Sequence, residues 1–187
     1  MNATETLNFS GQVALITGGS RGIGRAITLA FARLGATAIF CYQRDHTAAA
    51  AVSQVAADHG WRVEAFCVDV SQRPAVDTLI AAVVAKYGRI DILVNNASAI
   101  FLAGTLETPM KRFDLMHSVN ARGTFMVSQQ CLPHLMKSSN PHILNISPPL
   151  NMEARWFAPH VAYSMAKFGM SMCVLGMAEE LKPHGVA

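Results

Sequence analysis

Short runs of apolar residues alternate along the chain with longer stretches in which apolar positions recur every three or four residues. Runs of the first kind, bounded by glycine and polar residues, read as buried strands, and stretches of the second kind read as helices. Their alternation is the pattern of strand–helix–strand crossovers, so it predicts a parallel sheet covered by helices on both faces. The first unit is the clearest. Val13-Ala14-Leu15-Ile16 predicts a strand, Gly18 to Gly22 a turn, and Ile23 to Leu34 a helix closed by Gly35. Thr37 to Tyr42 predicts the second strand, Thr47 to His59 an alanine-rich helix stopped by Gly60, and Arg62 to Val68 the third strand. Pro74 opens a third helix that Tyr87-Gly88 ends. Ile90 to Val94 predicts a fourth strand, Lys111 to Met136 one longer helix, Pro141 to Ser147 a fifth strand, and His160 to Lys182 the last helix. In that helix Met165, Met170, Met172, Val174, Leu175 and Met177 leave little polar face, so burial on most sides is expected, in the core or against another subunit. Gly185-Val186-Ala187 reads as the opening of a sixth strand beside the fifth. The chain is therefore expected to be cut short before strand six, with the flank of the fifth left bare.

Composition narrows the class. With 187 residues, 51% of them hydrophobic, the chain can bury one substantial core, and residues 1–187 are expected to form a single domain. The net charge of +3 is carried by scattered Lys and Arg, which calls for neither nucleic acid nor an acidic membrane and leaves small anions as partners. Met1-Asn2-Ala3-Thr4-Glu5 lacks the basic-then-apolar pattern of a signal peptide, and no uninterrupted apolar stretch reaches the roughly 18 residues of a membrane span. A soluble, cytoplasmic protein is expected. Cys41, Cys67, Cys131 and Cys173 lie far apart, without Cys-x-x-Cys, and the histidines show no His-Glu-x-x-His. Neither a disulfide frame nor a metal site is expected, and the thiols are read as reduced and mostly buried.

The turn after the first strand carries chemistry. Thr17-Gly18-Gly19-Ser20-Arg21-Gly22-Ile23-Gly24 stands where free backbone N–H groups and the positive end of a helix favour a pyrophosphate. By analogy with dinucleotide-binding turns, Gly18 permits the tight turn, Gly22 admits the phosphates close to the backbone, and Gly24 lets the helix pack on the sheet. Gly19, Ser20, Arg21 and Ile23 join them as cofactor-contacting candidates. The second strand ends Cys41-Tyr42-Gln43-Arg44, without the acidic residue that would accept the ribose hydroxyls of NAD. Arg21 and Arg44 are placed to cradle a 2′-phosphate, so NADP(H) is favoured over NAD(H), although Asp45 stands just beyond. Gly18-Gly19-Ser20-Arg21-Gly22 also satisfies Gly-x-Ser-x-Gly, the nucleophile turn of hydrolases. That turn normally follows several strands and is completed by a later Asp and His, whereas this one follows the first.

Tyr163 and Lys167 are four positions apart in a helical stretch and so share one face. A free tyrosine titrates near 10. An ammonium about 4 Å from the phenolate would stabilise it by roughly 4 kcal/mol at an effective dielectric near 20, about three pKa units. Such a tyrosine can protonate a carbonyl oxygen, or deprotonate an alcohol in reverse.

Thr-Gly-x-x-x-Gly-x-Gly at Thr17 to Gly24, Asp69-Val70, Asn95-Asn96-Ala97, Asn120 and Tyr163-x-x-x-Lys167 together resemble the short-chain dehydrogenase/reductase family, with its doubly wound parallel sheet (Rossmann fold) in strand order 3-2-1-4-5. The resemblance implies that Asp69, with Val70, contacts the adenine side, that Asn96 and Ala97 flank the adenosine ribose, and that Gln43 and Arg44 meet the cofactor. It further implies that Tyr163 is the proton donor, that Lys167 holds the nicotinamide ribose, and that Asn120 supports a water-linked proton path. Asn95 to Ile100, His142 to Leu150 and Gly169 to Met172 look like the hydroxysteroid dehydrogenase-like branch. The resemblance implies a lipophilic carbonyl or alcohol substrate and a homodimer or homotetramer. One position departs from the family: Pro148 stands where a serine usually helps bind the substrate oxygen. Ser147, one step early, would point the other way on a regular strand, and stands in only if the two prolines distort the strand end. The competing expectation is a non-catalytic fragment that still binds the dinucleotide.

Overall fold

A computed structural model describes residues 7–187, so the expectation placed on Met1 to Glu5 lies outside the described residues. Five strands, β1 (Val13–Thr17), β2 (Thr37–Tyr42), β3 (Val63–Cys67), β4 (Ile92–Asn95) and β5 (His142–Asn145), form one sheet in the order β3-β2-β1-β4-β5. All of the pairings are parallel, with Val13 opposite Thr37, Ala14 opposite Ile92, Ala38 opposite Val63 and Ile92 opposite His142. This is the doubly wound arrangement expected from the sequence.

The central strands are buried on both faces, and alternate residues feed two cores. Val13, Leu15, Ile39, Cys41 and Leu93 pack with residues of α3 (Arg73–Tyr87) and α5 (Thr124–Leu135). Ala14, Ile16, Ala38, Phe40 and Val94 pack on the other face with α1 (Gly22–Arg33) and α2 (His46–Asp58). Asp45 starts α2 as its N-cap, its carboxylate accepting the Ala48 N–H at 2.8 Å. At the amino end of the sheet the buried Asp91 carboxylate ties three segments together. It accepts from the Val13 N–H at 2.8 Å, from the Ser138 hydroxyl at 2.5 Å and from the Arg89 guanidinium at 2.7 Å.

The helix expected over Lys111 to Met136 is not regular. It runs as α4 (Met110–Met116), a π-helical segment (His117–Gly123) and α5, so its hydrogen bonding changes register around Asn120. Strand four starts later than expected, at Ile92, although Ile90 and Asp91 before it are also buried.

The last helix, α6 (Val161–Glu180), corrects one expectation. Within the chain only one face is covered: Ala162, Ala166, Lys167, Met170 and Ser171 are buried, while Met165, Met172 and Leu175 remain 53%, 55% and 51% exposed. Burial in this chain's own core is thus ruled out for those residues, because the sheet lies on one side of the helix only. Among the described residues α6 is long and apolar enough to cross a membrane by length and composition, a property that the unbroken-run criterion misses. Beyond it, Ala187 lies along β5: the Ile143 N–H donates to the Ala187 carbonyl at 2.7 Å, and the Ala187 N–H to that of Pro141 at 3.1 Å. The expected neighbour of strand five is therefore present in its first pairing. The thiols are less uniform than expected. Cys41 and Cys131 are buried, Cys173 is half-buried and Cys67 is exposed, because Cys67 ends the edge strand β3.

Candidate active site

The turn between β1 and α1 lies at the carboxyl end of the central strand, where a doubly wound sheet opens a crevice. Gly18 and Gly22 have φ of +69° and +53°, conformations that side chains with a Cβ rarely adopt. A Cβ on Gly22 would meet nothing within 4 Å, so here the backbone is open to an incoming group. Gly24 differs from its expected role. A Cβ there would collide with the Gly18 carbonyl and the Asn96 amide, so Gly24 packs the helix against its own turn. Closeness to the sheet is the work of Gly19, whose absent side chain would overlap Phe40 of β2. No side chain caps α1 and its first turn holds no acidic residue, which leaves its N–H groups and positive end facing the crevice.

That crevice is a cleft of about 760 Å³. Ser20, Arg21, Ile23, Gln43, Arg44, Asp69, Val70, Asn96 and Ala97 all line it together with Gly18, Gly22 and Gly24, while Gly19 is not among the lining residues. No histidine lines it among the described residues, so the hydrolase reading of Gly18 to Gly22 has no base for Ser20. The Asp69 carboxylate is fixed by the Ser71 N–H at 2.9 Å, the Ser71 hydroxyl at 2.7 Å and the Gln43 amide at 2.7 Å. Burial alone would raise its pKa; these bonds and the nearby Arg44 charge outweigh it and hold the carboxyl below its ordinary value. Asp45 also lines the cleft, but with its carboxylate engaged in capping α2.

The Asn95-Asn96-Ala97 segment works through hydrogen bonds that the sequence does not announce. The Thr17 hydroxyl accepts the N–H groups of Asn96 and Ala97, each at 3.0 Å. The Asn96 amide donates to the carbonyls of Thr17 and Gly18, again at 3.0 Å. The glycine turn is thereby clamped to the end of β4. Asn95 is buried and donates to the Ser128 hydroxyl at 2.9 Å and the Asn145 amide oxygen at 2.8 Å, joining β4 to α5 and β5.

A second cavity, of about 530 Å³, opens at the end of β5. Tyr163, Lys167 and Ser147 line it together, which brings three of the four expected catalytic residues to one space. Ser147 reaches this space although it stands one step early, because β5 stops at Asn145 and strand alternation no longer governs where it points. The Lys167 ammonium donates to the Ile146 carbonyl at 2.6 Å and reaches the Met170 sulfur at 3.2 Å. Its burial lowers its pKa. The ammonium thus bridges α6 to the end of β5 and makes no hydrogen bond to the Tyr163 hydroxyl among the described residues. Asn120 stands apart from this cavity. Fully buried in the π-helical segment, its side chain accepts the Ala99 N–H at 2.8 Å and donates to the Ala99 carbonyl at 2.9 Å. Beside Asn151 and the aromatic Trp156, Phe157 and Phe168, the cavity holds two polar residues that the sequence reading missed: His160, one turn before Tyr163, and Ser164, whose hydroxyl stands 3.0 Å from His160 Nδ1. Helical spacing back from Tyr163 was the signal that could have found His160.

A glycine-lined cleft at the switch point of a parallel sheet, beside a Tyr-x-x-x-Lys helix, defines a family. The sequence pattern described as short chain dehydrogenase matches residues 12–187, and the chain belongs to that family of oxidoreductases. Within it, the chain is similar to hydroxysteroid dehydrogenase-like protein 2 of Danio rerio, 48% identical over 187 residues that take in 95% of this chain and 44% of that protein. This is the branch expected from the sequence, and the chain spans less than half the length of the curated relatives it matches. Among solved structures, a short chain dehydrogenase of Mycobacterium thermoresistibile is 41% identical with a TM-score of 0.87, covering 95% of this chain and 65% of that one. A metagenomic short-chain oxidoreductase in complex with NADP is 32% identical with a TM-score of 0.86, covering 95% and 79%.

Proposed function

We propose that the chain is the nucleotide-binding and catalytic part of an NADP(H)-dependent oxidoreductase that interconverts a lipophilic carbonyl compound and its alcohol. The observation that carries this reading is the convergence of Tyr163, Lys167 and Ser147 on one cavity at the end of β5. The first cleft fits the dinucleotide: a Cβ at Gly22 would meet nothing within 4 Å, and the uncapped start of α1 faces that open space. Asp69 and Val70 would take the adenine side, Asn96 and Ala97 the adenosine ribose, and Gly18 to Gly24 the pyrophosphate.

When bound, the reduced nicotinamide supplies a hydride to the carbonyl carbon. The protein's own part is to hold the carbonyl oxygen and move one proton. Tyr163 gives its hydroxyl proton to that oxygen, so a carbonyl, NADPH and a proton become an alcohol and NADP⁺, and the reverse direction returns the proton. Lys167, anchored on the Ile146 carbonyl in the same cavity as Tyr163, would hold the nicotinamide ribose and supply a positive charge that favours the phenolate. Ser147 offers the substrate oxygen a second hydroxyl. Asn120 acts by position, pinning the segment after β4 through Ala99, from where it would support a water-linked proton path.

The choice of NADP(H) rests on Arg21 and Arg44, which line one cleft, and on Asp45, whose carboxylate is engaged in a helix cap. The solved relative whose complex holds NADP supports it. The test is fluorescence titration with both reduced cofactors. NADPH is expected to bind at least tenfold more tightly than NADH, with the difference shrinking in Arg21→Ala and Arg44→Ala. Equal dissociation constants would overturn the choice. The exposed apolar residues of α6, with Phe125 of α5, support a homodimer or homotetramer.

A further inference from the structure

The 530 Å³ cavity holds a polar group that the reaction just described does not use. His160 precedes α6 as its N-cap residue, and its side chain makes no capping bond. Its Nδ1 instead lies 3.0 Å from the Ser164 hydroxyl, and its ring stands edge-on to the Tyr163 ring, with centroids 5.9 Å apart and planes at 84°. The other ring nitrogen, Nε2, has no protein partner among the described residues. A serine hydroxyl on Nδ1 fixes the orientation of an imidazole, and a fixed imidazole with one free nitrogen is a directional hydrogen-bonding group. Much of the surrounding wall is apolar: Pro148, Pro149, Trp156, Phe157 and Phe168 line the same space as Ser147, Asn151 and Lys167, with Phe157 and Phe168 packed edge-to-face at 5.1 Å. In such a wall one oriented polar group beside the reacting phenol has a large effect on which ligand is accepted, because a polar atom buried without a partner is costly.

We propose that His160, oriented by Ser164, is a substrate-contacting specificity residue, and that the cavity selects apolar carbonyl compounds bearing a second oxygen on the carbon next to the carbonyl. Nε2 binds that second oxygen while Tyr163 serves the first. The inference rests on the carbonyl–alcohol reading above and names the class of substrate within it. A substrate lacking the second oxygen leaves Nε2 without a partner in the cavity, which costs it roughly one hydrogen bond.

The experiment compares acetophenone with α-hydroxyacetophenone under saturating NADPH. The wild-type chain is expected to favour the hydroxyketone by about tenfold in kcat/KM, mostly through KM, as one hydrogen bond at a desolvated site provides. His160→Phe keeps an aromatic edge against Tyr163 and removes both nitrogens; the preference should collapse while NADPH affinity stays unchanged. Ser164→Ala should lose part of the preference, and Ser164→Thr, which restores the hydroxyl, should regain it. An unchanged preference in His160→Phe overturns the proposal. A wild-type chain that reduces neither ketone overturns the reaction reading instead, and the contact is then read from the His160 imidazole nitrogen resonances of the NADPH-saturated chain. A shift on adding α-hydroxyacetophenone but not acetophenone upholds the contact, and no shift refutes it.

Discussion

Alanine at Gly24 and alanine at Gly22 should fail differently, although the residues are two positions apart. At Gly24 the new methyl collides with the Gly18 carbonyl and with the Asn96 amide that donates to the Thr17 and Gly18 carbonyls. The carbonyl belongs to the backbone and cannot swing aside, so the turn itself must shift. Overpacking of this kind costs about 1–3 kcal/mol. Displacing Asn96 forfeits two hydrogen bonds of about 0.5–1.5 kcal/mol each. Alanine recovers up to about 1 kcal/mol as the better helix former. Taking the middle of each range, the net loss is about 3 kcal/mol, and a domain of this size loses about 2–4 °C of Tm per kcal/mol, so Tm should fall by about 6–12 °C. At Gly22 nothing lies within 4 Å of the added methyl, and only the φ of +53° is strained. That costs about 1 kcal/mol. The methyl nonetheless projects into the place given to the pyrophosphate. Thermal unfolding and NADPH titration on the same two variants separate the effects: Gly24→Ala loses both stability and affinity, whereas Gly22→Ala loses affinity by tenfold or more with a Tm drop of about 3 °C. A Gly24→Ala chain with wild-type Tm, or a Gly22→Ala chain less stable than it, would refute the packing argument.

Two further outcomes follow from buried and exposed surfaces. Burial alone would raise the Asp91 pKa, but hydrogen bonds from Arg89, Ser138 and the Val13 N–H, with the Arg89 charge, hold it below its ordinary value. Its stabilisation is therefore complete above the ordinary carboxylate pKa of about 4 and is lost as pH falls through the lower folded value. Asp91→Ala should cost about 3 kcal/mol in urea unfolding by stranding the Val13 N–H, and Arg89→Ala, whose side chain is 48% exposed, about 1 kcal/mol or less; equal costs would count against the hub. Light scattering at micromolar concentration should give a dimer or tetramer that Leu175→Glu dissociates, and a wild-type monomer would show that α6 is not a subunit contact.

Parts of this molecule are written locally and parts are not. Strand β2 falls on its expected residues, Thr37–Tyr42, because a fully buried parallel strand is a short apolar run between turn signals. The register shift at Asn120 left no mark, since a single π turn barely disturbs apolar spacing over a long helix. The Tyr163 and Lys167 spacing was legible because one helix carries both. Where the Lys167 ammonium goes was not, because the Ile146 carbonyl that receives it comes from another element. The apolar girdle of α6 raised the expectation of burial on most sides, whereas the chain's own core takes only the Ala166 and Met170 side, because what could cover the rest is not written in one chain. Ser147 was read against a regular strand, and the early end of β5 at Asn145 removed the premise.

The central claim is that the Tyr163 hydroxyl moves the proton, and Tyr163→Phe tests it most directly because the ring and its packing beside His160 are kept. The measurement is NADPH oxidation against a panel of ketones, aldehydes and oxo-steroids, with NADPH affinity determined in parallel. The account predicts a loss of turnover of about 10²–10⁴-fold with affinity nearly unchanged. A Tyr163→Phe chain that turns over as fast as an active wild type would contradict it, and a wild type that binds NADPH without oxidising it would leave a nucleotide-binding protein in place of an enzyme.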